Sequence, residues 1–210
     1  CQVAPTVLCL RSCKKKFVAP SYIFEFEDQE AKYQAYALVV LATKNLTGIA
    51  AANPSSVLKV SKIINEQAYH LIEALKFGNT DKLAEETTSL LPEIRNRADK
   101  ERLASLSCKL SRTSLTPEDI WPKLNTITTW TGGSCGTAID QLKKYIPNDV
   151  IFAEYGYAAS EFIGTININI EQNKCIPLLT HNFYEFAERD NWEQGNRHFL
   201  CLHELEESKE

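Results

Sequence analysis

The sequence has 210 residues, of which 44% are hydrophobic and 24% are charged. This balance is typical of a folded globular chain and argues against disordered or collagen-like sequence. The net charge of −4, from 23 basic and 27 acidic residues, argues against a basic nucleic-acid-binding protein. The longest apolar run, eight residues at 35–42, is too short for a transmembrane helix. We therefore expect neither a nucleic-acid partner nor a membrane span.

In the first half, local signals predict helices. Asp28 is a suitable N-cap for a helix over 29–41. Asn53, followed by proline, begins a longer helix whose apolar residues recur every three or four positions over 57–75. Gly78 is a suitable end for this helix.

Two more helices are predicted over 81–90 and 93–106, and Thr116-Pro117-Glu118-Asp119 is a short capping signal. These helices make the first half, to about residue 115, mainly helical.

The second half alternates between strands and helices. Strands are predicted over 126–130, 150–152, 165–170, 183–187 and 198–202, with a helix over 138–146. A glycine-rich turn at 131–136 joins the first strand to that helix. Strand, turn, helix and strand form a βαβ unit, so we expect an α/β fold whose sheet is mixed and at least partly parallel.

The glycine-rich turn from Thr131 to Gly136 is the first candidate site. Three glycines in six residues let the backbone approach a ligand closely, and the start of the following helix favours an anion. Neither the phosphate-loop pattern nor Gly-x-Gly-x-x-Gly is present. A tight structural turn is the alternative.

The segment from Glu154 to Glu161 is the second candidate, because it follows the next strand. Ligands of open α/β sheets bind at the carboxyl ends of strands. An aromatic ring there could stack on a purine, a hydroxyl could bind phosphate and a carboxylate could hold Mg²⁺. An ordinary loop is the alternative. Consecutive parallel strands would bring both candidate segments to one edge of the sheet.

Four motifs stand in a fixed order: Trp121-Pro122-Lys123-Leu124, Trp130-Thr131-Gly132-Gly133, Tyr157-Ala158-Ala159-Ser160-Glu161 and Asn182-Phe183-Tyr184-Glu185-Phe186. In order and spacing they resemble the auxin-responsive Gretchen Hagen family of acyl acid amido synthetases, most of all its bacterial-type members. The part from about 20 to 78 also resembles this family, and only about the first eighteen residues do not.

The resemblance implies a fold like the large N-terminal domain of the adenylate-forming enzymes. We expect one incomplete domain over 1–210, with an atypical stretch at 1–18, a mainly helical part at 19–115 and an α/β part at 116–210. The C-terminal cap domain would be absent. The implied reaction is a carbon–nitrogen ligation that uses ATP and Mg²⁺, a small carboxylic acid, and an amino acid or amine.

Carried over position by position, the resemblance assigns ATP binding to Tyr157, Ala159, Ser160 and Glu161, and acyl-substrate binding to Thr131, Gly132, Gly133 and Tyr157. Glu161 would also hold the metal ion, and no catalytic residue is assigned. The family has a serine where this sequence has Ala159, which puts one hydroxyl contact in doubt.

Two family motifs find no match: an upstream Ser-Ser-Gly-Thr phosphate loop, and a downstream Tyr-Arg-x-Gly-Asp motif that would begin beyond residue 210. We therefore expect an internal fragment that does not catalyse adenylation alone. A non-catalytic binding domain and an enzyme resembling acyl-CoA ligases remain alternatives.

The seven cysteines are scattered and form no Cys-x-x-Cys pair or zinc-type cluster. Free thiols in a reducing compartment are the expectation, which makes the cytoplasm the predicted location.

Overall fold

A computed structural model describes residues 17–159 and 161–206, together with the backbone of 9–12. Contacts divide the chain into two compact units: Cys1–Tyr155 with Asn167–Lys174, and Gly156–Ile166 with Cys175–Glu210. That residues 1–210 form one domain stays a prediction.

The first unit contains six α-helices in its described residues. They are α1 (Gln29–Ala42), α2 (Pro54–Phe77), α3 (Glu85–Arg97), α4 (Lys100–Leu110), α5 (Pro117–Ile120) and α6 (Cys135–Leu142). A 3-10 helix, Ser21–Glu25, precedes α1. The predicted helical first half is therefore confirmed.

Local capping explains where α1 and α2 begin and where α2 ends. The Asp28 side chain accepts a hydrogen bond from the backbone N–H of Glu30 at 2.8 Å, and that of Asn53 accepts from Ser55 at 2.9 Å. Gly78 follows α2 with φ of 81°, a left-handed conformation that favours glycine. The three predicted helix ends are confirmed.

The predicted bounds of α3 and α4 were wrong. Pro92 lies inside α3, although proline has no N–H to donate and crowds the preceding turn. Leu90, Leu91 and Ile94, on both sides of the proline, are at most 4% exposed, and their burial keeps the helix continuous. The chain instead breaks at Asp99, whose side chain caps α4.

Helix α6 also differs from its predicted span of 138–146, because it begins at Cys135 and ends at Leu142. Ile146 is still buried, at 3% exposure, so the apolar pattern continued past the end of the helix.

Among the described residues, the main sheet has four strands in the order β1 (Cys9–Ser12), β2 (Leu46–Ala50), β3 (Thr126–Thr129) and β4 (Ile151–Glu154). Strand β1 pairs antiparallel with β2, whereas β2–β3 and β3–β4 are parallel pairs. The predicted βαβ unit and the partly parallel sheet are confirmed. The carboxyl ends of β2, β3 and β4 therefore meet at one edge of the sheet.

Helix α1 lies in the centre of the core. Each residue from Ala35 to Leu41 is at most 3% exposed, so this helix is apolar all round. Helix α2 packs against α1 and α6, and α3 packs against α1. The sheet contributes Ile127, which is fully buried.

The guanidinium of Arg102, 6% exposed, joins three helices. Its Nε donates to the carbonyl of Leu41 at 2.9 Å, and its Nη1 and Nη2 donate to the carbonyls of Asp119 and Ile120 at 3.2 and 2.6 Å. These carbonyls lie at the C-terminal ends of α1 and α5, where the helix dipole is negative. Burial lowers the pKa of Arg102 to about 10, while Asp99 and Asp119 oppose that shift. The side chain is therefore still a cation at neutral pH.

The second unit contains short elements. Strand β7 (Glu185–Phe186) pairs antiparallel with β8 (Leu200–Cys201), and α7 (Arg189–Glu193) lies between them in sequence. A 3-10 helix, Leu202–Glu204, follows β8. The predicted strands at 183–187 and 198–202 are present in shortened form.

The chain crosses between the two units in a two-stranded sheet of β5 (Thr165–Asn169) and β6 (Lys174–Pro177). The predicted strand over 165–170 is thus confirmed. Its alternating residues Ile166, Ile168 and Ile170 are 48–59% exposed.

Within the described part of the chain, none of the helices has the length and apolar character needed to cross a membrane.

We expect Arg102→Met to lower the free energy of unfolding by about 3 kcal/mol or more. Each buried carbonyl left without a donor costs about 1–3 kcal/mol, and Arg102 serves three of them. Urea unfolding of Arg102→Met and of the matched surface variant Arg112→Met measures this effect. Equal losses in the two variants would show that the buried hydrogen bonds do not stabilise the fold.

Asp119 makes stability depend on pH. Burial alone would raise the pKa of this carboxyl group, but hydrogen bonds from Lys109 and Thr116 lower it overall. Because the folded pKa lies below the unfolded one, the stabilisation is present above the unfolded pKa and is lost as pH falls through the folded pKa. Asp119→Asn should therefore cost most at about pH 7 and progressively less below about pH 4, as measured by urea unfolding. Asp140→Asn, on the surface of α6, is the control, and a cost that does not change with pH contradicts the prediction.

Candidate functional site

The turn after β3 is open to ligands. The N–H of Cys135 donates to the carbonyl of Gly132 at 3.2 Å, and that of Gly136 donates to Gly133 at 3.4 Å, so the turn leads directly into α6. Gly133 has φ of 57°, which favours glycine. Apart from each glycine's chain neighbours and, for Gly136, the backbone of its own helix, no described atom lies within 4 Å of a Cβ built on Gly132, Gly133 or Gly136. Packing in this unit therefore leaves space beside the turn.

The carboxylate of Glu154 fixes this turn to the end of β4. It accepts a hydrogen bond from the backbone N–H of Thr131 at 2.8 Å and a second from the Thr131 hydroxyl. Thr129 and Glu154 are paired in the parallel register, so the two strands end side by side. The prediction that the ends of these two strands meet at one edge is thus confirmed for Thr131 and Glu154.

Two asparagines complete the outer edge of β4, the last strand of the sheet. Asn173, at φ of 50°, accepts from the N–H of Glu154 at 2.8 Å through Oδ1 and donates to the carbonyl of Phe152 at 3.2 Å through Nδ2. The amide of Asn167 donates to the Glu154 carbonyl at 3.1 Å. Side-chain amides here take the place of a neighbouring strand.

The end of β2 joins the same edge. The Thr129 hydroxyl and the Trp130 N–H both donate to the carbonyl of Ala52, at 3.2 and 3.1 Å. Asn53 then caps α2, so α2 and α6 both begin here. The N-termini of helices carry partial positive charge, which suits an anionic ligand. Trp130 and Tyr155 meet edge to face, with ring centroids 6.4 Å apart.

The Tyr157–Glu161 motif lies in the second unit, on a tight loop. The N–H of Tyr157 donates to the Thr165 hydroxyl at 2.7 Å, and that of Ala159 donates to the carbonyl of Phe162 at 2.9 Å. Tyr157 is 64% exposed, and Glu161, which follows Ala159 by two residues, is also exposed. Ser160, the predicted phosphate contact, lies outside the described residues.

Glycine is required at two places in this loop. Gly156 has φ of 92°, and a Cβ there would lie 2.9 Å from the carbonyl oxygen of Thr165. A Cβ on Gly164 would lie 2.7 Å from the Tyr157 ring. Sequence reasoning missed both roles, although the two glycines flank the motif.

The motif around Asn182 supports the same loop. The Asn182 amide donates to the carbonyl of Ile163 at 2.7 Å, and the Tyr184 hydroxyl donates to that of Gly164. The Tyr184 oxygen also accepts from the N–H of Leu178 at 3.1 Å. Asn182 and Tyr184 thus hold the backbone of the loop that carries Tyr157.

The structure brings Thr131, Gly132 and Gly133 together with Glu154 in one unit, and it places Tyr157, Ala159 and Glu161 on one loop of the other unit. Their assignments to ATP, acyl substrate and metal remain predictions. Among the residues that the structure describes, no group of three or more His, Cys, Asp or Glu side chains could hold a metal ion.

The first unit thus has an α/β fold with a glycine-rich turn at the carboxyl end of a parallel strand. The GH3 family N-terminal domain matches residues 5–151. The chain belongs to the GH3, or Gretchen Hagen, family. None of the curated proteins matches it.

Solved structures of this family share the fold. A GH3.15 acyl acid amido synthetase superimposes with a TM-score of 0.71 and 21% identity, covering 90% of this chain and 35% of that chain. The AtGH3.15 acyl acid amido synthetase in complex with 2,4-DB gives a TM-score of 0.67 and 20% identity, with 85% and 32% coverage. The chain thus spans about a third of the length of these relatives.

The extent of the family match corrects one expectation and limits another. The match starts at residue 5, so the expectation that residues 1–18 lie outside the resemblance was wrong from residue 5 onward. The match ends at residue 151, before the motifs at 157–161 and 182–186. Membership of the bacterial-type branch also stays a prediction.

We expect Glu154→Gln to destabilise the protein by about 1–3 kcal/mol, because a charge-assisted hydrogen bond becomes a neutral one and the Thr131 hydroxyl can be left mismatched. Urea unfolding of Glu154→Gln, Thr131→Val and the double variant should give a coupling energy of about 1 kcal/mol. Glu171→Gln, an exposed change, is the control. Strict additivity of the two single variants would contradict the Thr131–Glu154 contact.

Proposed function

We propose that this chain is part of the ATP- and acyl acid-binding domain of an acyl acid amido synthetase. The intact enzyme activates a small carboxylic acid with ATP and Mg²⁺ and joins it to an amino acid or amine. Membership of the GH3 family is the observation that carries this proposal. The open turn and the two helix starts at the carboxyl ends of the parallel strands support it.

The proposed reaction has two steps. A carboxylate oxygen attacks the α-phosphorus of ATP, and the bond from that phosphorus to pyrophosphate breaks. The amine nitrogen then attacks the activated carbonyl carbon, loses a proton to solvent or a base, and releases AMP. The first step brings two anions together, so backbone N–H groups at the Thr131 turn and at the start of α6 would offset their repulsion.

The residues present suit the nucleotide and its metal ion. Mg²⁺ takes oxygen ligands and often binds through one or two carboxylates together with substrate phosphates, so the exposed carboxylate of Glu161 could hold it. Bound there, Mg²⁺ would neutralise phosphate charge. The exposed Tyr157 ring offers a face to the adenine or the acyl group. Since Ala159 has no hydroxyl, phosphate contact in this motif falls to Ser160.

The acyl group would lie at the turn, against Thr131, Gly132 and Gly133. Glu154 holds the first of these residues, and the turn leaves open space beside the other two. A carboxylate placed here would face the N-terminal end of α6, which favours negative charge.

We also propose that residues 1–210 belong to one domain of such an enzyme, with a helical part at 19–115 and an α/β part at 116–210. A cytoplasmic location is part of the same proposal. Its support is that Cys108, Cys135, Cys175 and Cys201 are free thiols, as expected in a reducing compartment.

A non-catalytic binding domain is the second candidate, and one observation favours it. The Thr131 hydroxyl and the Glu154 carboxylate are bonded to each other, and Ala159 has no polar side chain. Two of the polar groups at the Thr131 turn therefore stabilise the fold through their hydrogen bond to each other.

Glu161→Ala in the protein that carries this chain should weaken binding of ATP·Mg²⁺ at least about tenfold, because a metal ligand is lost. Titration calorimetry measures this change, with Glu171→Ala as the matched exposed control. Equal affinities in the two variants would contradict the assignment of Glu161.

Pyrophosphate exchange on the same protein distinguishes the two candidate functions. Exchange that depends on an added carboxylic acid supports the synthetase. ATP binding without exchange for any acid of a broad panel favours the binding domain.

A further inference from the structure

A second cleft lies at the end of α2 that is far from the Thr131 turn, where the C-terminal ends of α2 and α3 meet α4. Its volume is about 510 Å³, within the range of pockets that hold small molecules. Helix α2 has 24 residues and begins at the sheet edge described above, so its other end lies roughly 36 Å away. We name this feature the α2–α4 cleft; the residues that matter are Lys76, Phe77, Pro92, Arg95, Lys100 and Leu103.

The charge of the α2–α4 cleft has one sign. Lys76, Arg95 and Lys100 line it, and no Asp or Glu is among its described lining residues. Most protein surfaces intersperse both signs of charge, so an apolar cleft with only cations at its rim is selective for anions.

Lys76 and Phe77 place a cation beside an exposed ring. The Lys76 ammonium donates to the Ser107 hydroxyl at 3.0 Å and lies 4.9 Å from the centroid of the Phe77 ring. Phe77 is 66% exposed, whereas Leu103 beneath the cleft is 4% exposed. An apolar group lying on Phe77 would cover ring surface that now faces water.

Arg95 removes the main obstacle to an anion at this place. The C-terminal end of α2 is negative, but the Arg95 Nε and Nη2 groups donate to the carbonyls of Leu75 and Lys76 at 3.1 and 3.2 Å. Gly78 makes room for this guanidinium, because a Cβ there would lie 2.8 Å from Nη1. Arg95 thus offsets the negative end of α2, so this helix end does not repel an anion bound at Lys76 and Lys100.

We propose that the α2–α4 cleft binds a small amphipathic carboxylate. Its apolar tail lies on Phe77 and Leu103, and its carboxylate lies between the Lys76 and Lys100 ammonium groups. The cleft shares no residue with the candidate nucleotide and acyl sites, and the proposal does not depend on the proposed function.

Octanoate is a suitable probe, and 1-octanol is its uncharged counterpart. Titration calorimetry should show octanoate binding, with 1-octanol at least about tenfold weaker because it lacks the charge. Lys100→Gln and Lys76→Gln should each weaken octanoate binding roughly fivefold. Lys62→Gln, an exposed change 14 residues earlier on the same helix as Lys76, should leave it unchanged.

Amide shifts in NMR spectra locate the ligand without relying on the variants. Octanoate should shift the signals of Phe77, Leu103 and their neighbours. No octanoate binding, equal binding of 1-octanol, or shifts confined to other surfaces would each overturn the proposal. Equal weakening by Lys62→Gln and Lys100→Gln would do the same, because it would show only a general effect of charge.

Discussion

The buried guanidinium of Arg102 is the interaction on which the geometry of the first unit depends. A buried cation needs full hydrogen bonding, and Arg102 obtains it from the carbonyl ends of α1 and α5. Helix α1 leads within a few residues into β2, and α5 leads into β3. By holding both helix ends at one point, Arg102 fixes where two adjacent parallel strands begin.

The candidate site lies at the opposite ends of those strands. Because β2, β3 and β4 are paired in parallel, strands that begin side by side also end side by side. Ala52, Thr129 and Glu154 therefore lie at one edge of the sheet. The Thr131 turn is then held by a carboxylate from the neighbouring strand in addition to its own backbone hydrogen bonds. The position of the glycine-rich turn is therefore fixed in part by the register of β3 and β4.

The sequence predicted features that depend on neighbouring residues and missed those that depend on distant ones. Caps at Asp28 and Asn53 act over two residues, so the starts of α1 and α2 were predictable. The predicted helices over 81–90 and 93–106 left a gap that α3 spans, because burial of the surrounding leucines, a tertiary effect, outweighs the local cost of Pro92. Strands β1 and β2 were not predicted, since β2 contains Gly48 and is defined mainly by its pairing with β3.

At the sheet edge, too, the sequence predicted only part of the arrangement. Parallel connectivity brings the ends of β3 and β4 together, but pairing of Thr131 with Glu154 spans 23 residues and has no local signal. The side chains of Asn167 and Asn173 bond to the backbone of Glu154, and no hydrophobic periodicity in the sequence predicts these contacts.

The motif residues divide into those that hold backbone and those that face solvent. Asn182 and Tyr184 bond to the carbonyls of Ile163 and Gly164, and so hold the loop that carries Tyr157 and Glu161. A side chain that holds a loop is constrained by the fold itself, whereas exposed side chains such as Tyr157 and Glu161 are not constrained by burial. The proposed ligand contacts of this ring and carboxylate therefore rest on their exposure, while the Tyr157 ring also packs edge to face on Phe162 within the loop.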